Sequence, residues 1–148
     1  MGTEIPDYSH LAGHEFPGGS YELPGYEVWL WADAVQAAPR DPHAHPEMAY
    51  MIGLHGGGAS IADIMALLGA DADSGVMFGE LGFEFDGPIL PDQTYDVRGR
   101  VLSVDRKEGR KAGVFDLATF VHELTAVGDS RPIARVEHVW VFPRKAAR

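Results

Sequence analysis

Along the second half of the chain, apolar side chains recur at every second position. Tyr95, Val97, Gly99, Val101 and Ser103 alternate with Asp96, Arg98, Arg100 and Leu102 over Thr94 to Asp105. Phe83 and Phe85 alternate within Val76 to Phe85, and Gly113 to Leu124 and Ile133 to Phe142 are rich in β-branched and aromatic residues. A period of two bounded by turn residues predicts four strands. Asp105 to Lys111 and Val127 to Arg131 read as exposed hairpin turns, and Pro88, Pro91 and Asp92 mark the connection after the first strand. Three long strands joined by short turns make an antiparallel meander.

Ahead of these strands the spacing changes. Val28, Trp31, Ala32 and Val35 predict an amphipathic helix over Tyr26 to Ala38, although its tryptophans suit a strand equally. Ile61, Ile64, Met65 and Leu68 recur at three and four residues and predict a helix from about Gly58 to Leu68, stopped by Gly69. Ala59, Ala62 and Ala66 fill much of the rest, so this helix is expected to be buried on most sides, with a sheet wrapped around it. Ser20 to Leu23 reads as a short strand closed by Pro24-Gly25, and residues 1–19 as an irregular lead-in. Pro39, Pro42 and Pro46 break the chain into a loop that carries Asp41, His43 and His45. The predicted class is α+β: an antiparallel sheet around one central helix, in a single domain over residues 1–148.

Composition narrows the function classes. With 148 residues, 45% of them hydrophobic and 10% aromatic, the chain has material for one ordered core. A net charge of −10 argues against general binding to nucleic acid or an anionic membrane, while leaving an anionic small molecule open. The absence of cysteine removes disulfides, zinc–thiolate sites and cysteine nucleophiles. No stretch has the length of a membrane span, and Met1 to Asp7 lacks the features of a signal peptide, so a cytoplasmic protein is the expectation.

The candidate chemistry centres on Gly53-Leu54-His55-Gly56-Gly57-Gly58-Ala59-Ser60, which leads into the apolar helix. Helix starts leave N–H groups without intrahelical partners and carry partial positive charge. A carbonyl oxygen that turns negative during a reaction can be held there. Three consecutive glycines exceed what close packing alone needs, so the glycine run reads first as a site for such an oxygen and second as close packing of a helix start. His55 reads as a capping residue with an orienting role second, and Ser60 as an early-helix hydrogen-bonding residue with substrate contact second. His43 and His45 are balanced between proton transfer and a solvated loop, with His43 ahead of His45, and Asp41 reads first as a turn residue and second as a carboxylate partner. A metal site is not favoured: Glu47 follows His43-Ala44-His45 too closely, and His122 and His138 on their strands show no ligand spacing. Arg106, Lys107, Arg110 and Lys111 read as a solvated turn before a phosphate site.

Taken together, the segments resemble the hot-dog fold and, within it, the MaoC-like, (R)-specific enoyl-CoA hydratase family. His55-Gly56 before the small apolar helix resembles that family's His-Gly opening of its central helix. Phe83 to Tyr95 resembles its strand, bend and next strand, and Arg106 to Phe115, Ile133-Ala134-Arg135 and Trp140 to Arg144 resemble its C-terminal strands. The resemblance covers roughly residues 20–144. It implies an acyl-thioester hydratase or dehydratase with no cofactor of its own, the acyl group being carried by coenzyme A or acyl carrier protein. It also implies a homodimer, a higher assembly or a heteromeric hot-dog partner. The family's signature is an Asp, four residues, then a His, followed by an acidic and aromatic run. His43 to Ala49 aligns with its second half, which places His43 as the catalytic histidine. Five residues earlier stands Ala38 instead of Asp, and the segment from His43 to His55 is shorter than the family's. On this resemblance Asp41 and His43 handle water and protons, Gly56 holds the thioester oxygen, and His45, His55, Gly57 and Ser60 lie around the substrate. A hot-dog thioesterase and a non-catalytic subunit or acyl-ligand binder remain open, the latter favoured by Ala38.

Overall fold

In the computed structural model, which describes residues 4–38 and 42–144, the period-two segments build one five-stranded antiparallel sheet. The elements in chain order are β1 (Gly19–Leu23), α1 (Gly25–Ala34), α2 (Met48–Gly56), α3 (Ile61–Leu67), β2 (Met77–Phe85), β3 (Gln93–Gly109), β4 (Gly113–Ala126) and β5 (Ala134–Pro143). The sheet order is β1-β3-β4-β5-β2, so the meander β3-β4-β5 forms its centre and β1 and β2 its edges. Residues 4–18 hold one 3-10 turn, Ser9–Leu11, and run along β3, where Leu11 and Phe16 are buried and Glu15 bridges to Arg100.

Strict alternation along β5 buries Ala134, Val136, His138, Trp140 and Phe142 on the concave face. On β3 the alternation breaks. A bulge between Val101 and Ser103 turns Val104 inward in place of Ser103, so the inner row reads Tyr95, Val97, Gly99, Val101, Val104. The first hairpin turn is also tighter than expected. β3 continues to Gly109 and β4 starts at Gly113, which puts Arg106 inside a strand.

The helices depart further from the expectation. The helix expected from Gly58 to Leu68 is α3, which begins only at Ile61; an unexpected helix, α2, precedes it and ends at Gly56, and Gly58 between them adopts a left-handed φ of +77°. The glycines therefore close one helix instead of opening another. The buried helix is α2, whose Met48, Ala49 and Ile52 pack with Leu23, Tyr95, Val97, Leu124 and Val136. α3 is amphipathic: Ile64 and the adjoining Leu68 enter a second cluster with Val101, Phe120 and Trp140, while Ile61, Ala62 and Ala66 are exposed. The apolar spacing of residues 61–68 was correct in period, but alanines on the outer face do not require burial. α1 also stops earlier than expected, at Ala34, because Gln36 takes a left-handed φ of +55°. No helix among the described residues is long and apolar enough to cross a membrane.

One carboxylate fastens the distal end of the sheet. Asp116, with a side chain 2% exposed, accepts from Arg106 Nε at 2.8 Å and from Arg144 Nε at 2.7 Å. Arg106 also donates to the Ile5 and Pro6 carbonyls, and Arg144 to the Leu68 carbonyl at the end of α3. Burial alone would raise the Asp116 carboxyl, but the hydrogen bonds and charges of both arginines hold it below its ordinary value. Removing one member strands a buried charge. Asp116→Asn is therefore expected to cost about 3 kcal/mol, read as a lower urea midpoint at unchanged slope. A change below about 0.5 kcal/mol would show that the clamp contributes little.

Candidate functional site

The connection from β2 to β3 has to cross from one edge of the sheet to the far side. It does so beneath the start of α2, and it is tied there by the Ala44 N–H donating to the Ile89 carbonyl at 2.8 Å. Tyr95 fixes the same crossover by accepting from the Leu90 N–H at 2.8 Å. The loop that carries the two candidate histidines and the crossover thus become the two walls of one cleft. Its volume is about 390 Å³, and it is lined by Val28, Trp29, Ala32 and Asp33 of α1, by Ala38, His43 and His45, and by Pro91 and Asp92. The lining is mainly apolar with a few convergent polar groups, the usual make-up of a small-molecule site.

Of the residues expected to act, His43 and His45 share this cleft. Ala38, at the place of the missing Asp, lines it too. Asp41 lies outside the described residues, as does Pro39. His43 is exposed at the cleft; His45 is half-buried, and its Nδ1 accepts from the Glu47 N–H at 3.3 Å. That bond assigns the proton of the neutral ring to Nε2.

The other expected residues gather elsewhere. His55 and Ser60 line a separate shallow groove where α2 meets α3. Ser60 caps α3: its Oγ accepts from the Asp63 N–H at 3.1 Å, and its N–H donates to Asp63 Oδ2 at 2.8 Å. His55 is exposed and meets the edge of Tyr21, whose hydroxyl donates to Glu27 Oε2 at 2.7 Å. Burial, then the hydrogen bond and charge of Glu27, push Tyr21 up to about 12. Gly56 and Gly57 are buried at the C-terminal end of α2, where carbonyls and not N–H groups lack helical partners. The Gly57 N–H is used by the Gly53 carbonyl at 3.0 Å, and the Gly57 carbonyl accepts from the Gly18 N–H. The helix-start geometry on which an oxyanion role for Gly56 was argued is therefore absent at that residue. Asp92 is the functional candidate that the sequence reading placed only as a turn marker. Its signal was a non-glycine residue at a bend, but nothing in the spacing showed that the bend lines the same cleft as His43. Among the described residues no three His, Asp or Glu side chains converge to hold a metal ion.

No family model matches the chain, and no curated protein matches it by sequence. Comparison with solved structures is decisive for the fold. A monoamine oxidase regulatory protein from Archaeoglobus fulgius superposes with a TM-score of 0.67 over 98% of this chain and 99% of its own, at 13% identity. The ChsH1-ChsH2 complex from Mycobacterium tuberculosis matches with a TM-score of 0.66 over 94% and 89%, at 14% identity. The (R)-hydratase from A. caviae involved in PHA biosynthesis matches at 0.53 over 95% and 98%, at 16% identity. The chain has the hot-dog fold of the MaoC-like proteins. Further matches with this fold include MaoC-like dehydratases and thioesterase-superfamily proteins.

Within this hot-dog core the glycines do have a partner. His122 of β4 lies under α2, and a Cβ on Gly57 would stand 2.8 Å from its Nε2, one on Gly53 3.0 Å from its Cβ, and one on Gly99 2.7 Å from its Cδ2. His122 Nδ1 and His138 Nε2 are 3.2 Å apart, between Phe16, Phe120 and Tyr50, and both rings are buried. Among the described residues His122 Nε2 and His138 Nδ1 have no hydrogen-bond partner. Burial pushes His122 down to about 4; burial, and then the charge of His122, push His138 down to about 3. The unfolded chain protonates these rings near pH 6.5 while the folded chain keeps them neutral, so stability falls as pH drops from 7 toward 4. At pH 5 each ring should remove about 2 kcal/mol relative to pH 7. Urea midpoints measured across this range should fall with pH in the wild type and lose most of that slope in His122→Asn/His138→Gln. An unchanged slope would exclude the pair as its source.

Proposed function

We propose that this chain adds water to, or removes it from, a 2-enoyl thioester carried by coenzyme A or acyl carrier protein. The observation that carries the reading is the cleft itself: two imidazoles at the mouth of a mainly apolar pocket on a hot-dog frame whose fold neighbours include hydratases and dehydratases. Hydration requires a group that moves a proton and a donor for the thioester oxygen as it becomes an enolate. His43, exposed at the cleft, is the proton carrier. His45, with its backbone-bonded Nδ1, offers Nε2–H as a neutral donor to that oxygen. Apolar side chains of α1, among them Val28, Trp29 and Ala32, take the acyl chain. A thioesterase would place the same substrate in the same cleft and is supported by fold neighbours of that class.

The assay is hydration of crotonyl-CoA, followed by loss of the enoyl absorbance in parallel with release of free thiol. Hydration without thiol is the expected outcome; thiol release alone would make the protein a thioesterase. His43→Ala should lower kcat/KM by about 100-fold or more.

The working unit in this proposal is a pair of hot-dog subunits, as in the neighbouring ChsH1-ChsH2 and HadBC complexes. β2 is an edge strand whose Met77, Phe78, Leu81 and Phe85 are exposed, with only Glu80 and Glu84 to discourage pairing. Light scattering on the purified chain should give twice the monomer mass, and Leu81→Lys/Phe85→Lys should return it to monomer. A wild-type monomer at micromolar concentration would remove the self-pairing arm of the proposal.

A further inference from the structure

The resemblance implies a carboxylate where this sequence has Ala38, and two carboxylates, Asp33 and Asp92, line the cleft that His43 shares. We infer that Asp92 is the catalytic carboxylate of this cleft, taking the proton of the attacking water while His43 supplies one to the substrate. This inference rests on the hydratase reading above.

Several observations converge on Asp92. It lines the same cleft as His43 and His45, on the opposite, crossover wall. Its position is held from both sides: Oδ1 accepts from the Gly25 N–H at 3.0 Å, and its own N–H donates to the Leu23 carbonyl at 2.6 Å. Among the described residues Oδ2 has no hydrogen-bond partner, so one oxygen is anchored and the other is available to a water. The backbone at Asp92 is left-handed, with φ +56°, one of two non-glycine residues among those described that adopt such a value. The Ala44–Ile89 bond clamps the histidine loop to the crossover that carries Asp92, which fixes the two walls relative to one another. A proton-transfer group must be positioned before it can be effective, and Asp92 is positioned. Asp33 also lines the cleft, but its side chain has no hydrogen bond that would orient it among the described residues.

The step balances. The step requires Asp92 in its carboxylate form and His43 with a proton on each ring nitrogen. A water O–H bond breaks, its proton passes to Asp92 Oδ2, and its oxygen bonds to the β-carbon. The π pair moves onto the α-carbon through the enolate, and His43 gives its N–H proton to that carbon. The product is the 3-hydroxyacyl thioester. Transfer of the new proton from Asp92 to His43 through solvent at the exposed cleft restores both groups. Nothing is oxidised or reduced.

Asp92→Asn separates this role from a structural one. Asparagine tolerates the same left-handed backbone and keeps an oxygen for the Gly25 N–H, so the cap on α1 survives and only the basic carboxylate is lost. With the full chain and crotonyl-CoA, kcat should fall about 100-fold with KM within about threefold. The melting temperature should stay within about 2 °C of wild type, since an Asn cap replaces an Asp cap at little cost. Wild-type activity in Asp92→Asn, with His43→Ala inactive, would reduce Asp92 to a helix cap and overturn the assignment while leaving the hydratase reading intact. A comparable loss in Asp41→Asn or Asp33→Asn, with Asp92→Asn unaffected, would move the carboxylate to that residue. A wild-type chain that neither hydrates nor dehydrates any enoyl thioester would overturn the hydratase reading and this assignment together.

Discussion

The fold depends on how closely α2 approaches the sheet. A helix can descend onto a strand face to this extent only where side chains are missing from the contact, and Gly53, Gly57 and Gly99 remove them around a single ring, that of His122. The imidazole fills the space that three side chains would otherwise occupy, and it does so next to Phe16, Phe120 and His138. Once α2 is seated, its N-terminal end lies over the crossover between β2 and β3, and the loop before it is brought alongside Ile89. The position of the cleft follows from the seating of one helix.

That seating also explains how much was legible in the sequence. The strands declared themselves because β3, β4 and β5 each have one buried face and one more accessible face, and a period of two survives any bulge that moves it by a single residue. The hairpin after β3 was misplaced because Arg106 and Lys107 look solvated, whereas Arg106 is drawn into the ladder by a carboxylate ten positions later in the chain. Pairing across a sheet leaves no mark in local composition. The glycine cluster misled for a related reason. Glycine is compatible with the beginning of a helix, with its end, and with a close approach. The choice among these lay with His122, a residue on a strand far along the chain that showed no spacing relation to the cluster.

The candidate residues separate into two places in the structure. His43 and His45 stood out as an imidazole pair in a proline-rich loop, and they do share a cleft. The residues gathered around the glycines belong to a different surface, because the helix they were assigned to open starts three residues beyond the last of them, at Ile61 after Gly58. Asp92 was read as a turn residue, which it is; only the three-dimensional path of the crossover brings it to the cleft that His43 and His45 also line.

The crossover has one more property. It begins where β2 ends, on the edge strand left open to another molecule, and it finishes at Asp92 in the wall of the cleft. Whatever pairs with β2 therefore takes hold of one end of a short, proline-stiffened strap whose other end is in the pocket. In such a layout quaternary structure is an input to the shape of the cleft. Two assemblies built from the same chain, one with itself and one with a different hot-dog partner, would present pockets of different width without a single substitution inside them.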